Sequence, residues 1–364
     1  MSDDTDTSLL LPGQIFQGRY EVLEHIGDGG FGGVYKARHL ELGLTVALKT
    51  LHPQMLNDHE NRSRFQIEGK ILAELSHPNV VHFYENGISV QLIPYIVMEF
   101  LQGKSLQKVL NDAGKLPIEQ AIDIIMQVCD ALAAAHQCGI VHRDLKPNNI
   151  ILLTKRDGMV KLVDFGLSRV MASSKVSANQ HLTRPGFLIG SVRYMSPEQC
   201  LGGRADPRSD IYSLGCILYE AISGNQPLTA DNPVGLLHKH ANETPVPLDE
   251  VVSSGSLPRG LTMVLDNAMA KDPRARYQSA EQMRRDLELV RKGKGDRVKP
   301  QKLSKDIDFD KLPTNKPPRN KKIVFASLVI VTLLLLLTPL YPKLQLQFDA
   351  VIKMCKIAKQ GHAK

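Results

Sequence analysis

His142-Arg143-Asp144-Leu145-Lys146-Pro147-Asn148-Asn149 is the stretch from which the rest of the chain can be read. It sets a carboxylate, a lysine and a carboxamide within one short loop. Fifteen residues after Asn149 comes Asp164-Phe165-Gly166, a second carboxylate beside a glycine. Far upstream lie Gly27-Asp28-Gly29-Gly30-Phe31-Gly32 and, on a β-like run, Lys49. Each piece alone is ambiguous, because a Gly-x-Gly-x-x-Gly run also marks dinucleotide-binding folds and a strand lysine is usually a solvated edge charge.

The chain around these pieces is that of an ordinary globular protein. Its 364 residues suffice for one sizeable core, and 43% apolar with 23% charged residues excludes wholesale disorder. The net charge of +7 is unevenly spread. Residues 291–364 hold 17 Lys/Arg against 5 Asp/Glu, and residues 1–290 hold 28 against 33. A mildly acidic body with a basic tail argues against a nucleic-acid partner. The five cysteines form no Cys-x-x-Cys and no zinc spacing, so reduced, mostly buried thiols are expected. The acidic opening Met1 to Ser8 does not read as a signal peptide.

Residues 1–19 read as a flexible leader. From Tyr20 the pattern is β-like: 20–26 and 34–37 flank the glycine cluster as a hairpin, and 44–50 makes a third strand carrying Lys49. An apolar face of Phe65, Ile67, Ile71, Leu72 and Leu75 predicts a helix over about 60–75, with Glu68 at its middle. Strands are expected at 80–84 and 95–99. After Gly103 the chain turns helical. Pro117 starts a helix with Ile118, Ile122, Ile125, Val128 and Leu132 at steps of three or four, and Gly139 stops it three residues before the loop. Further helices are expected at 210–222, 258–269 and 280–290. The class is α+β, with a small β-rich lobe (20–101) ahead of a larger helical lobe (102–290).

Set in this order, the motifs resemble those of the eukaryotic-type (Hanks-type) protein serine/threonine kinases, in particular the bacterial membrane-anchored kind, over about residues 20–289. His142 to Asn149 matches H-R-D-L-x-x-x-N, Gly27 to Val34 matches G-x-G-x-x-G-x-V leading into a strand, and Val46-Ala47-Leu48-Lys49 is close to V-A-I-K. The resemblance implies a two-lobed kinase fold and transfer of the γ-phosphoryl of ATP, with Mg2+ (or Mn2+), to Ser/Thr hydroxyls of protein substrates. Asp144 would accept the hydroxyl proton, Lys146 would steady the transferring phosphoryl, and Asn149 and Asp164 would hold the metal. Lys49 would neutralise the α/β-phosphates and pair with Glu68, for which Glu74 is the competitor. The nucleotide would lie against Ile26, Gly27, Asp28, Gly29, Gly30, Phe31, Gly32, Gly33, Val34 and Ala47. Met98 would be the gatekeeper, and the backbone of Glu99 and Leu101 would bond adenine. His142 is expected to be structural, Asp210 to brace the loop, and Glu198 to pair with Arg276. Thr183 is the favoured autophosphorylation site in the segment 164–198. The competing class is a pseudokinase that binds ATP or partners without transfer.

Beyond residue 290 the composition changes. A basic linker (291–322) precedes Ile323 to Tyr341, 19 residues without a charge, long enough to span a bilayer as one helix. Six Lys/Arg in 303–322 against four in the 20 residues after Tyr341 place the N-terminal side inward. The expectation is a single-pass protein of the plasma (inner) membrane with its catalytic domain in the cytoplasm and a short basic tail (342–364). A homodimer is allowed for.

Overall fold

The computed structural model describes residues 10–28, 32–52, 65, 69, 73–155, 158–165, 192–252 and 257–304. Gly29, Gly30, Phe31, Glu68, Thr183 and the stretch 323–341 lie outside the described residues. The chain divides into two units, 1–314 and 315–364, and every described element belongs to the first. Among the described residues no helix is long and apolar enough to cross a membrane.

The N-terminal lobe is a six-stranded sheet of β1 (Ile15–Phe16), β2 (Tyr20–Asp28), β3 (Gly32–His39), β4 (Thr45–Leu51), β5 (Phe83–Ile88) and β6 (Pro94–Glu99). The strands are ordered β1-β2-β3-β4-β6-β5, and every neighbouring pair is antiparallel. Register decides what each face does, because directly paired residues share a face. Val34 pairs with Lys49, Lys49 with Ile96, and Ala47 with Met98. These residues form the face turned to the main core, which includes Ala47, Ile96 and Met98, with Val34 packed against it. The alternate residues Tyr35, Ala37, Val46, Leu48, Tyr95 and Val97 form a second apolar cluster on the opposite face, closed by Leu10, Phe16, Tyr20 and Val22. Apolar burial on both faces explains why β4 and β6 read as near-continuous hydrophobic runs.

The strand expected over 80–84 is displaced. β5 begins at Phe83, because Val80 and Val81 are engaged elsewhere: Val80 forms an isolated parallel bridge with Leu162, and Val81 donates its N–H to the Leu162 carbonyl at 3.0 Å. Of the helix expected over 60–75, Phe65, Gly69, Ala73, Glu74 and Leu75 are described; the first four are helical and Leu75 lies just past the end.

The second lobe is helical, with one small sheet of β7 (Gly103–Ser105), β8 (Ile150–Leu153) and β9 (Val160–Leu162). Its helices are α1 (Leu106–Ala113), α2 (Ile118–Gln137), α3 (Pro197–Cys200), α4 (Pro207–Ser223), α5 (Pro233–Asn242), α6 (Leu248–Val251), α7 (Leu261–Met269) and α8 (Ala280–Arg291). The axis of the lobe is α4, buried at every position from Arg208 to Ile222, and α2 and α7 pack on it. Such a helix lacks a solvent face and needs firm ends. Asp206 caps its start by accepting from Arg208 N at 2.8 Å, and Pro207 occupies the first turn. Gly224 closes it in the left-handed region at φ 76°.

Candidate active site

The loop 142–149 stands on α4. Asp210, in the helix's first turn, is buried, and its two oxygens accept the backbone N–H groups of His142 and Arg143, each at 2.8 Å. His136, near the end of α2, faces the same carboxylate at 2.8 Å. Burial alone pushes the Asp210 carboxyl up, but His136 and the loop N–H groups outweigh it and hold the group below the usual carboxylate range. Arg143 sits at φ 67°, a left-handed conformation that costs a non-glycine residue roughly 1–3 kcal/mol. It is held from both sides, by Asp210 at its N–H and by Gln199, whose Nε2 donates to the Arg143 carbonyl at 2.8 Å. The sequence suggested the brace at Asp210. Nothing in it pointed to His136 or Gln199, which lie on other elements.

From this base the loop presents Asp144, with its side chain 37% exposed. Lys146 Nζ donates to Asp144 Oδ2 at 2.7 Å, and Asn149 Nδ2 donates to the Asp144 carbonyl at 2.9 Å. The turn at Pro147–Asn149 then feeds β8. The Asn149 carbonyl accepts from Val163 N at 2.9 Å, so the segment leading to Asp164 is tied to the same loop. His142 has the structural role expected of it: its Nε2 faces the Val163 carbonyl at 3.1 Å, and its ring lies 4.9 Å from that of Phe165.

Asp164, at φ 59°, is a second left-handed non-glycine residue. Its Oδ1 accepts from Lys49 Nζ at 2.9 Å, joining β4 of the small lobe to the large lobe. Lys49 is 2% exposed, and a buried ammonium needs such a partner. Burial raises the Asp164 carboxyl, but the Lys49 charge and hydrogen bond overcome it, leaving the group below its ordinary value. The competitor Glu74 is exposed at the helix end.

At the other end of the cleft, Ala47 and Met98 are buried on the sheet face that carries Lys49, Val34 and Leu101 are part-buried against the same core, and Ile26 is 50% exposed. Asp28 Oδ1 lies 3.3 Å from His25 Nε2 and 3.7 Å from His52 Nε2. The glycines differ in kind. A Cβ on Gly32 would fall 1.6 Å from the Thr50 carbonyl oxygen and one on Gly33 would strike the Tyr35 ring, whereas at Gly27 nothing lies within 4 Å. Gly32 therefore serves the approach of β3 to β4, and Gly27 leaves open space.

The donor set suits a hard divalent cation. Asn149 spends its Nδ2 on the loop, leaving its amide oxygen, and Asp164 has Oδ2 beyond the lysine. Among the described residues no group of three or more His, Cys, Asp or Glu could hold a metal by itself. An amide oxygen and a carboxylate oxygen are ligands of the kind that Mg2+ takes together with phosphate oxygens and water.

The protein kinase domain family matches residues 20–287. The chain belongs to the protein kinase family. It is 41% identical over 280 residues to a probable serine/threonine-protein kinase of Clostridium perfringens, covering 77% of this chain and 39% of that one. It is 40% identical over 278 residues to the serine/threonine-protein kinase PknB of Mycobacterium tuberculosis, covering 76% and 43%. The kinase therefore spans about two fifths of the length of these curated relatives. The crystal structure of the Mycobacterium tuberculosis PknI kinase domain matches at a TM-score of 0.59 and 27% identity, over 77% of this chain and 99% of that one. The two-lobed fold seen here is the kinase fold. Glu198 and Arg276 make the pair expected of them: Arg276, 0% exposed, donates to the two carboxylate oxygens at 2.9 and 2.8 Å.

Proposed function

We propose that this chain is an active serine/threonine protein kinase, transferring the γ-phosphoryl of ATP to Ser/Thr hydroxyls of proteins. The observation that carries the reading is the convergence of Lys49, Asp144, Lys146, Asn149 and Asp164, from both lobes, on one cleft, with Lys49 and Asp164 in contact at 2.9 Å. In the reaction the acceptor oxygen bonds to the γ-phosphorus, the bond to the β–γ bridging oxygen breaks, and ADP departs. Asp144 accepts the acceptor's proton on Oδ1, the oxygen not engaged by Lys146. Lys146 stands where its ammonium can offset charge on the transferring group. Lys49 draws the α/β-phosphates toward Asp164, and Asp164 and Asn149 would hold the metal. Magnesium, when bound, supplies charge neutralisation across the phosphate oxygens. Ala47, Met98, Val34, Ile26 and Leu101 supply the apolar walls for the base, whose edge would meet the backbone of Glu99 and Leu101.

Incubating the full chain with Mg-ATP labelled in its γ-phosphate, together with a generic basic acceptor protein, tests the reading. Label on Ser/Thr is the expected result, and nucleotide binding without label transfer would favour the pseudokinase. Thr183 is our candidate for autophosphorylation, since phosphate there could engage Arg143 and order the segment. An unchanged phosphopeptide map in Thr183→Ala would remove it. We further propose that 323–341 anchors the kinase to the plasma membrane with its catalytic domain in the cytoplasm. The support is its 19 uncharged residues and the basic flank before them.

A further inference from the structure

Lys161 lies in β9, three residues before Asp164, and is 7% exposed. Its Nζ donates to the Glu99 carboxylate and, at 3.0 Å, to the Val80 carbonyl. The Glu99 oxygen that receives the lysine, Oε1, also accepts from His82 N at 2.6 Å, while Glu99 N donates to the His82 carbonyl at 2.9 Å. Val81 N donates to the Leu162 carbonyl at 3.0 Å, and Leu162 N to the Asn79 carbonyl at 2.8 Å. Three segments far apart in sequence are thus stitched at one point: the connector 79–82, Glu99 at the end of β6, and the strand that ends just before Asp164. Replacing both members of such a pair by apolar side chains of similar volume is often neutral for stability. What an ion pair adds is direction, since it fixes one backbone against another through hydrogen bonds of defined geometry.

We propose that the Lys161–Glu99 pair is a positioning clamp that fixes the backbone of residues 99–101 against the edge of the nucleotide base, and so sets the preference for adenine over guanine. The proposal rests on the ATP-site reading above. The two purines present opposite patterns of donors and acceptors on that edge. A hydrogen-bonding site rejects the wrong pattern only to the extent that its own groups are held in place. Lys161 touches neither base nor phosphate in this scheme, and it acts through Glu99.

The test uses the full chain and titrates Mg-ADP and Mg-GDP calorimetrically against wild type, Lys161→Met and Lys161→Arg. Lys161→Met is expected to weaken ADP about tenfold and GDP much less, so that the ADP:GDP ratio falls, with Lys161→Arg restoring most of it. Turnover of Lys161→Met at saturating ATP is expected within about twofold of wild type, the pattern of lost binding rather than lost chemistry. A folded Lys161→Met with an unchanged ADP:GDP ratio, or one that loses both nucleotides equally, overturns the clamp. Should Lys161→Met fail to fold, Glu99→Gln carries the same expectation and the same refutation for the ratio. A wild-type chain that binds neither nucleotide would instead contradict the ATP-site reading, and the clamp with it.

Discussion

His240, on α5, shows how one buried side chain makes stability depend on pH. It is fully enclosed, its Nδ1 faces the Tyr212 hydroxyl at 3.0 Å, and Lys271 donates to the His240 carbonyl at 2.9 Å and to that hydroxyl at 3.1 Å. Burial, helped by the Lys271 charge, pushes its pKa down from 6.5 to about 4. On acidification the unfolded chain takes up this proton first. Stability is therefore untouched above pH 6.5, declines between 6.5 and about 4, and levels off below that, a total of about 3 kcal/mol. As pH falls through the ordinary carboxylate values, 4.5 for Glu198 and 3.8 for Asp210, further stability is lost, since both carboxyls sit under those values in the folded chain. Urea midpoints measured from pH 7 to pH 4 should show the first decline in wild type and not in His240→Gln. Equal slopes in the two proteins would remove the assignment.

Among the elements, β3 and β4 meet at Gly32, where an added Cβ would fall on a backbone oxygen that cannot swing aside. Gly32→Ala is expected to lower stability by about 3 kcal/mol, and Gly27→Ala to leave the melting temperature unchanged while weakening nucleotide binding. Thermal melts with and without Mg-ADP separate the two. A stable Gly32→Ala would contradict the register. The short helix α3 is locked to the segment before α8 by Glu198 and Arg276. Burial raises the Glu198 carboxyl, and Arg276 more than offsets this. Glu198→Ala leaves a guanidinium without its counter-charge, at a cost of roughly 3–5 kcal/mol in a denaturant titration. These elements were legible from sequence to different degrees. The periodic stripe of α2 and the largely apolar run of α4 announced their helices, and Gly27 to Val34 announced a hairpin. The displaced start of β5 was not readable, because Val80 and Val81 look like strand residues and only the arrival of Leu162, some 80 positions away, claims them. For the same reason local pattern held no hint of Lys161, His136 or Gln199, polar residues whose partners lie on remote elements.

At the scale of the whole molecule, motif order carried most of the site, since Lys49, Asp144, Asn149 and Asp164 could be named before any contact was known. Their convergence is a property of the two lobes closing on each other, which spacing alone does not contain. The anchor is tested at this scale too. The full chain should sediment with membranes and resist high-salt extraction, while a chain ending at residue 304 should be released, and an extractable full chain would rule the anchor out. The central claim is that Asp144 takes the acceptor's proton in a cleft already built to hold nucleotide. Its most direct measurement compares phosphoryl-transfer rate and Mg-ADP affinity in Asp144→Asn and wild type. Transfer is expected to fall about 10²–10⁴-fold with affinity nearly unchanged; an Asp144→Asn chain that still transfers phosphate at the wild-type rate would contradict the claim.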